Sequence, residues 1–334
     1  MSSVSHGTEA DRFDYALQFV GRCPFDQRLD IVLSRLNYLR LQEAAEELFG
    51  LGVRRGFPRL EYNSLLSRAT ITTNPSSLNT LVHEEISCSI LRQTVSKLEE
   101  HGLRYKVSSS VERGFSDESA ITKRYRGSRK IVDYGMLFCE DNNSYMRTCA
   151  IIGGPMQQYS SIQDDVRLLL YGTRYQAVIL VGIEERPAYN SPIVDEAVDC
   201  VRPDYGLELQ LVHQGFSHTL KETPLGPYMY DNFAWGGKIS NFFLEVYKRH
   251  GRSSRTEVRR HVIVEDGKRI EQRMLSLNLT IGEVAPIAQV RRSDIGSTPI
   301  EIDVDYILYC LELAISGTGY ERFQVYCLHP ERSA

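Results

Sequence analysis

The residue types best suited to chemistry lie between positions 83 and 167. Asp133 falls within an apolar stretch read as a strand, and a carboxylate buried there is costly unless it serves a site. His83-Glu84-Glu85 falls in the first half of a predicted helix, and Asp164, Asp165 and Arg167 fall on a shorter one. Between them, Lys123, Arg124, Arg126, Arg129 and Lys130 place five positive charges within eight residues. Such a segment suits phosphate groups and predicts nucleic-acid binding. A solvated loop balanced by Asp117 and Glu118 accounts for it equally well. A second basic run, with Arg249, Arg252, Arg255, Arg259 and Arg260, adds to the first only if it folds to the same side.

The elements that must position these groups follow from periodicity. Asp133 lies on a strand, Asp141-Asn142-Asn143 makes a tight turn, and a second strand ends at Gly153-Gly154-Pro155. The helix carrying Asp165 and Arg167 comes next, then the apolar strand 177–183. Upstream, Leu29, Val32, Leu33, Leu36, Leu39 and Ala44 recur at spacings of three and four, which predicts a helix over 26–48. That helix either packs on the core or docks a partner. A further helix is expected over 78–101, capped by the hydroxyl of Ser76 or Ser77 and ended by Gly102, followed by a strand over 104–111.

Downstream, 187–230 is rich in Pro, Gly and Tyr and reads as an insertion with a short helix at 194–198 and a strand at 207–212. Strands are expected at 241–248, 257–264 and 275–281. A final helix over 304–315 is preceded by Glu301, Asp303 and Asp305, which suit the positive end of its dipole, and is ended by Gly317 and Gly319. The expected organisation is a disordered lead-in over 1–12, an N-terminal helical extension over 13–76, and an α/β domain over 77–330 with the insertion at about 187–238. Its expected core is a central mixed β-sheet flanked by helices.

The chain has 334 residues, enough for a large core, and its apolar content of 42% is that of an ordinary globular protein. No apolar run approaches the roughly 20 residues that span a bilayer, so no membrane association is expected. The first ten residues have no apolar core, so no secretory signal is expected. Seven cysteines, odd in number and never in a C-x-x-C pair, argue against a zinc site and for the reducing cytosol or nucleus. The net charge of −4 gives no global signature of nucleic-acid binding, so any such surface must be local.

Taken in order, the motifs resemble the PD-(D/E)XK nuclease superfamily, with its restriction-endonuclease-like fold, and more closely a large, mostly fungal group of PD-(D/E)XK nuclease-like proteins. His83-Glu84 matches the start of the group's first helix. Val132-Asp133-Tyr134-Gly135-Met136 matches its Pro-Asp-x-x-Phe strand, with Val132 in place of the proline. Ala150-Ile151-Ile152-Gly153-Gly154 matches the Glu-Val-Gly strand, Asp165-Val166-Arg167 the Asp-Ala-Arg helix, and Val178-Ile179-Leu180-Val181 the apolar strand that follows. The resemblance covers roughly residues 80–315 and is poor over 187–238.

In that superfamily, Mg²⁺ held by carboxylates activates water for phosphodiester cleavage. The resemblance implies a site built from Asp133 and Glu84, with Ile152 at the position of the third carboxylate and Gly154 at the position of the lysine. It therefore implies a catalytically degenerate protein, a pseudoenzyme acting through nucleic acid or a protein partner. Two other readings stay open. One is an active Mg²⁺-dependent nuclease with a rearranged site, in which Asp165 is the most plausible replacement ligand and Arg167 a stand-in cation. The other is a structural interaction module with partner surfaces on 26–48 and the insertion.

Overall fold

The computed structural model describes residues 7–22, 27–49, 58–73, 76–103, 110–113, 117–119, 122–138, 146–155, 158–189, 223–230, 233–249 and 256–328. The chain starts with helix α1 (Glu9–Arg22), strand β1 (Arg28–Val32), helix α2 (Arg35–Phe49), strands β2 (Arg59–Asn63) and β3 (Arg68–Thr72), and the long helix α3 (Ser77–Glu100). Strands β4 (Ser110–Arg113), β5 (Asp117–Ser119), β6 (Arg129–Ile131), β7 (Tyr134–Phe138) and β8 (Met146–Pro155) follow, then helix α4 (Tyr159–Gly172) and strand β9 (Ala177–Arg186). The remainder comprises β10 (Tyr228–Tyr230), β11 (Phe233–Gly236), β12 (Lys238–Arg249), β13 (Thr256–Glu265), β14 (Lys268–Arg269), β15 (Met274–Thr280), β16 (Pro299–Asp303) and a C-terminal helix, Val304–Leu328.

The fold is mixed α/β, with two principal sheets. The central one has seven strands in the order β14-β13-β12-β9-β8-β7-β4. Its neighbours are antiparallel except β8 and β9, which run parallel and are joined by the crossover helix α4. The second sheet is antiparallel, in the order β1-β3-β2-β6-β5. Alternation along β8 assigns its two faces: Cys149 and Ile151 join the core with α3, while Ala150 and Ile152 join the core with α4. A separate core unites α1, α2 and β1–β3 around Ile31, Leu41 and Ile71.

The fold departs from several local expectations. Helix α1 starts at Glu9, inside the expected disordered lead-in. The Thr8 N–H donates to Asp11 Oδ2 (2.8 Å) and the Asp11 N–H to Thr8 Oγ1 (3.2 Å), a reciprocal cap that fixes this start. The N-terminal extension is not simply helical, because its β1, β2 and β3 form most of a sheet. The helix expected over 26–48 is β1 followed by α2. Leu29 and Ile31 alternate with Arg28 and Asp30, and pairing with β3 overrides the three-four spacing.

The hydroxyl of Ser76 makes no capping bond to α3. The C-terminal helix supplies the cap instead, as Glu321 accepts from the Ser77 N–H (2.9 Å) and Thr318 Oγ1 from the Leu78 N–H (2.8 Å). That helix runs through Gly317 and Gly319 to Leu328. A side chain at 317 would press on Ser77, so this glycine allows close helix approach. The turn at 141–143, most of the strand expected at 104–111, and the helix and strand expected inside the insertion lie outside the described residues. No helix among the described residues is long and apolar enough to cross a membrane.

Candidate binding centre at Asp133

Asp133 is not at the centre of a strand. With Val132 it forms the link between β6 of one sheet and β7 of the other. This places its carboxylate at the junction of the two sheets, where three other elements reach it. Arg59 on β2 donates from a terminal guanidinium nitrogen to Oδ1 (2.7 Å). The Gly153 N–H on β8 donates to Oδ2 (2.9 Å), and His83 Nδ1 on α3 lies 3.4 Å from the same oxygen. Burial alone would raise the Asp133 carboxyl. The His83 hydrogen bond and the charges of Arg59, His83 and Lys130 outweigh it and hold the group well below the usual carboxylate range.

Gly153 makes the arrangement possible. A Cβ at this position would overlap the buried His83 ring and crowd the carbonyl of Val181. Gly153→Ala is therefore expected to push His83 from Asp133 and to destabilise the protein by about 1–3 kcal/mol, the usual cost of overpacking. Thermal unfolding checks the stability, and the histidine ring signals in an NMR titration report the displacement.

A second network lies on the α4 side. Asp165 is buried, and Oδ2 accepts from Arg28 of β1 (2.8 Å) and Lys130 of β6 (3.0 Å). Its Oδ1 accepts from Arg68 of β3 (3.2 Å). Lys130 also donates to Glu61 of β2 (2.5 Å), and Arg28 to Asp30 (3.2 Å). For Asp165, burial opposes ionisation, but Lys130, Arg28 and Arg68 prevail and keep its carboxyl far below the usual range. Burial raises the Glu61 carboxyl despite Lys130, and the charge of Asp165 adds to the rise. The network ties the N-terminal sheet to α4.

The structure distributes the predicted site residues unevenly. Asp133 and the 152–154 segment meet, as described. Ile152 is buried among Ile162, Val166 and Leu180, so the position of the missing carboxylate is filled by apolar packing. Gly154 lies beside Ile162, and the Arg28 guanidinium is the nearest cation. Glu84 is turned about 100° from His83 on α3 and accepts from the Tyr134 hydroxyl (3.4 Å); among the described contacts of Asp133, it is His83 that α3 supplies. Asp165 belongs to the second network. Arg167, 64% exposed, pairs with Asp164 (3.0 Å) on the outer side of α4.

Of the basic segment, Lys123, Arg124 and Arg126 are exposed and Arg129 is half-buried. Lys130 is corrected: it is buried in the ion-pair network and is not presented to a polyanion. Sequence reading missed Arg28, Arg59, Glu61 and Arg68. The signal was there in the alternation of Arg59-Leu60-Glu61-Tyr62 and Arg28-Leu29-Asp30-Ile31, which is that of strands presenting charges on one face.

A cleft lined by Arg28, Arg59, Glu61, His83, Lys130 and Asp133 has about 50 Å³ of room for water-sized groups. The donor set does not fit Mg²⁺, which needs several converging oxygens. Both oxygens of Asp133 and both of Asp165 are engaged by cations or N–H groups. Among the described residues, no three His, Cys, Asp or Glu side chains are grouped to hold a metal ion. Scans against models of known families and searches of curated proteins and of solved structures give no match to the chain.

Proposed function

We propose that this chain is a PD-(D/E)XK nuclease-like protein that has lost cleavage and acts in the cytosol or nucleus by binding nucleic acid. The order β7-β8-α4-β9, antiparallel and then parallel, supports the restriction-endonuclease-like reading, as does Asp133 lying abreast of residues 152–154. The observation that carries the loss of catalysis is the occupancy of Asp133: Arg59, Gly153 and His83 take its two oxygens, leaving a fixed ion pair where the family would hold a metal ion. The exposed cations Lys123, Arg124 and Arg126 favour nucleic acid as the partner.

The test is cleavage of single- and double-stranded DNA and RNA with Mg²⁺ or Mn²⁺, using the wild type, Asp133→Ala and Ile152→Glu. No cleavage is expected from any of the three, and no saturable Mn²⁺ binding by the wild type. Metal-dependent cleavage by the wild type that disappears in Asp133→Ala would overturn the reading.

A further inference from the structure

We infer that the outer face of α4, with the basic residues flanking it on both sides, is a binding surface for the phosphate backbone of a nucleic acid, separate from the Asp133 centre. This rests on the non-catalytic reading for its biological sense but not for its physical basis. The first flank is the turn Lys123–Tyr125. Tyr125 is buried, and it sits against Gly172 near the end of α4, where a Cβ on that glycine would meet it at 3.2 Å. The anchored turn leaves Lys123, Arg124 and Arg126 exposed beside α4.

The second flank is the β12–β13 hairpin. Arg249 lies over the ring of Tyr171 (5.8 Å), and the Tyr171 hydroxyl bonds Thr256 Oγ1. Arg260 lies over Phe243 (4.0 Å) and Tyr159 (5.5 Å). Exposed cations of the first run and Arg249 and Arg260 of the second thus lie against one helix, which itself supplies Arg167; Arg252 and Arg255 lie outside the described residues. Strand alternation divides the second run, because Arg259 points to the opposite face from Arg260.

Charge and chemistry favour a polyanion. Among the described residues, the carboxylates paired with this set are Asp164 and Glu245. Asp164 is shared by Arg68 and Arg167, and Glu245 is buried and held by Tyr159, Tyr247 and Arg260. A local excess of positive charge therefore stands on a chain whose net charge is −4. Half-buried Tyr159 and Tyr171 seat Arg260 and Arg249 over their rings and so hold these cations beside α4. Cations spread along a helix and its two borders, apart from the cleft at Asp133, match a chain of phosphates better than a single anion.

The experiment is fluorescence anisotropy with short single-stranded DNA, duplex DNA and single-stranded RNA, titrated across salt from about 50 to about 200 mM. The wild type is expected to bind at least one of the three with affinity that falls steeply with salt. The triple variant Lys123→Glu/Arg124→Glu/Arg126→Glu is expected to lose at least tenfold in affinity, with a log–log salt slope smaller by about 3. Arg167→Gln/Arg249→Gln removes charge from the helix and the hairpin and is expected to lose severalfold. A charge-matched control, Lys268→Glu/Arg291→Glu/Arg292→Glu, should retain wild-type affinity, and circular dichroism establishes that every variant is folded.

No wild-type binding at low salt, or an equal loss in the control, overturns the inference while leaving the non-catalytic reading intact. Metal-dependent cleavage with binding unaffected by these substitutions overturns both.

Discussion

Asp165→Ala is expected to destabilise the protein by about 3–5 kcal/mol, the cost of removing one partner from a buried ion-pair network. The change removes a shared partner from three cations at once, since Arg28, Lys130 and Arg68 all donate to this carboxylate. Arg28 keeps Asp30, Lys130 keeps Glu61 and Arg68 keeps Asp164, so the charges do not become wholly unpaired. The N-terminal sheet is nevertheless left attached to α4 by fewer bonds. Lys130→Met should cost less, because Asp165 keeps two arginines, and Glu61 keeps the Ile131 N–H and can take up a proton. The denaturation midpoints in urea should fall in the order wild type, Lys130→Met, Asp165→Ala. Equal midpoints for wild type and Asp165→Ala would show that the network carries no net stability.

Acid is expected to unfold the protein through the same groups. Asp133 and Asp165 have folded-state carboxyls depressed below their unfolded values, so between the two values the unfolded chain binds more protons and stability rises with pH. Their contribution is complete above the ordinary aspartate value of about 3.9 and is lost as pH falls through the folded values. Glu61 acts in the opposite sense. Its raised carboxyl costs stability as pH rises from the ordinary glutamate value of about 4.3 through the raised folded value. Urea midpoints measured across acidic pH should therefore drop steeply on the acid side. Asp165→Asn should flatten that acid limb, and Glu61→Gln should flatten the opposing limb above it. An acid limb unchanged in Asp165→Asn would place the acid sensitivity elsewhere.

Ile152 also changes meaning with the structure. By sequence alone, restoring a carboxylate there looks like repair of a nearly intact site. In the fold, its side chain is part of the apolar core beneath α4, and both oxygens of the neighbouring Asp133 are engaged by Arg59, Gly153 and His83. A glutamate at 152 would enter an apolar cluster beside a carboxylate already held by a guanidinium, a histidine and a backbone N–H, which is why repair by that single change is not expected.

The sequence by itself determined the mixed α/β class, a helix read over 78–101 and found at Ser77–Glu100, and the β7-β8-α4-β9 succession. The class and the succession of elements are local, since apolar alternation and turns at Gly and Pro report directly on nearby backbone, whereas the meeting of Asp133 with residues 152–154 was implied by the family resemblance. Only the tertiary structure decided what surrounds Asp133. Arg59 is 74 positions away, and Arg28 is 137 positions from Asp165. Charges this distant are brought together by pairing β1, β2, β3 and β6 into one sheet, which no local pattern encodes. The same holds for Lys130, which belongs to a basic run in sequence and to a buried network in space. Burial and partner, set by packing, decide whether a charged residue offers itself to a ligand or holds the molecule together.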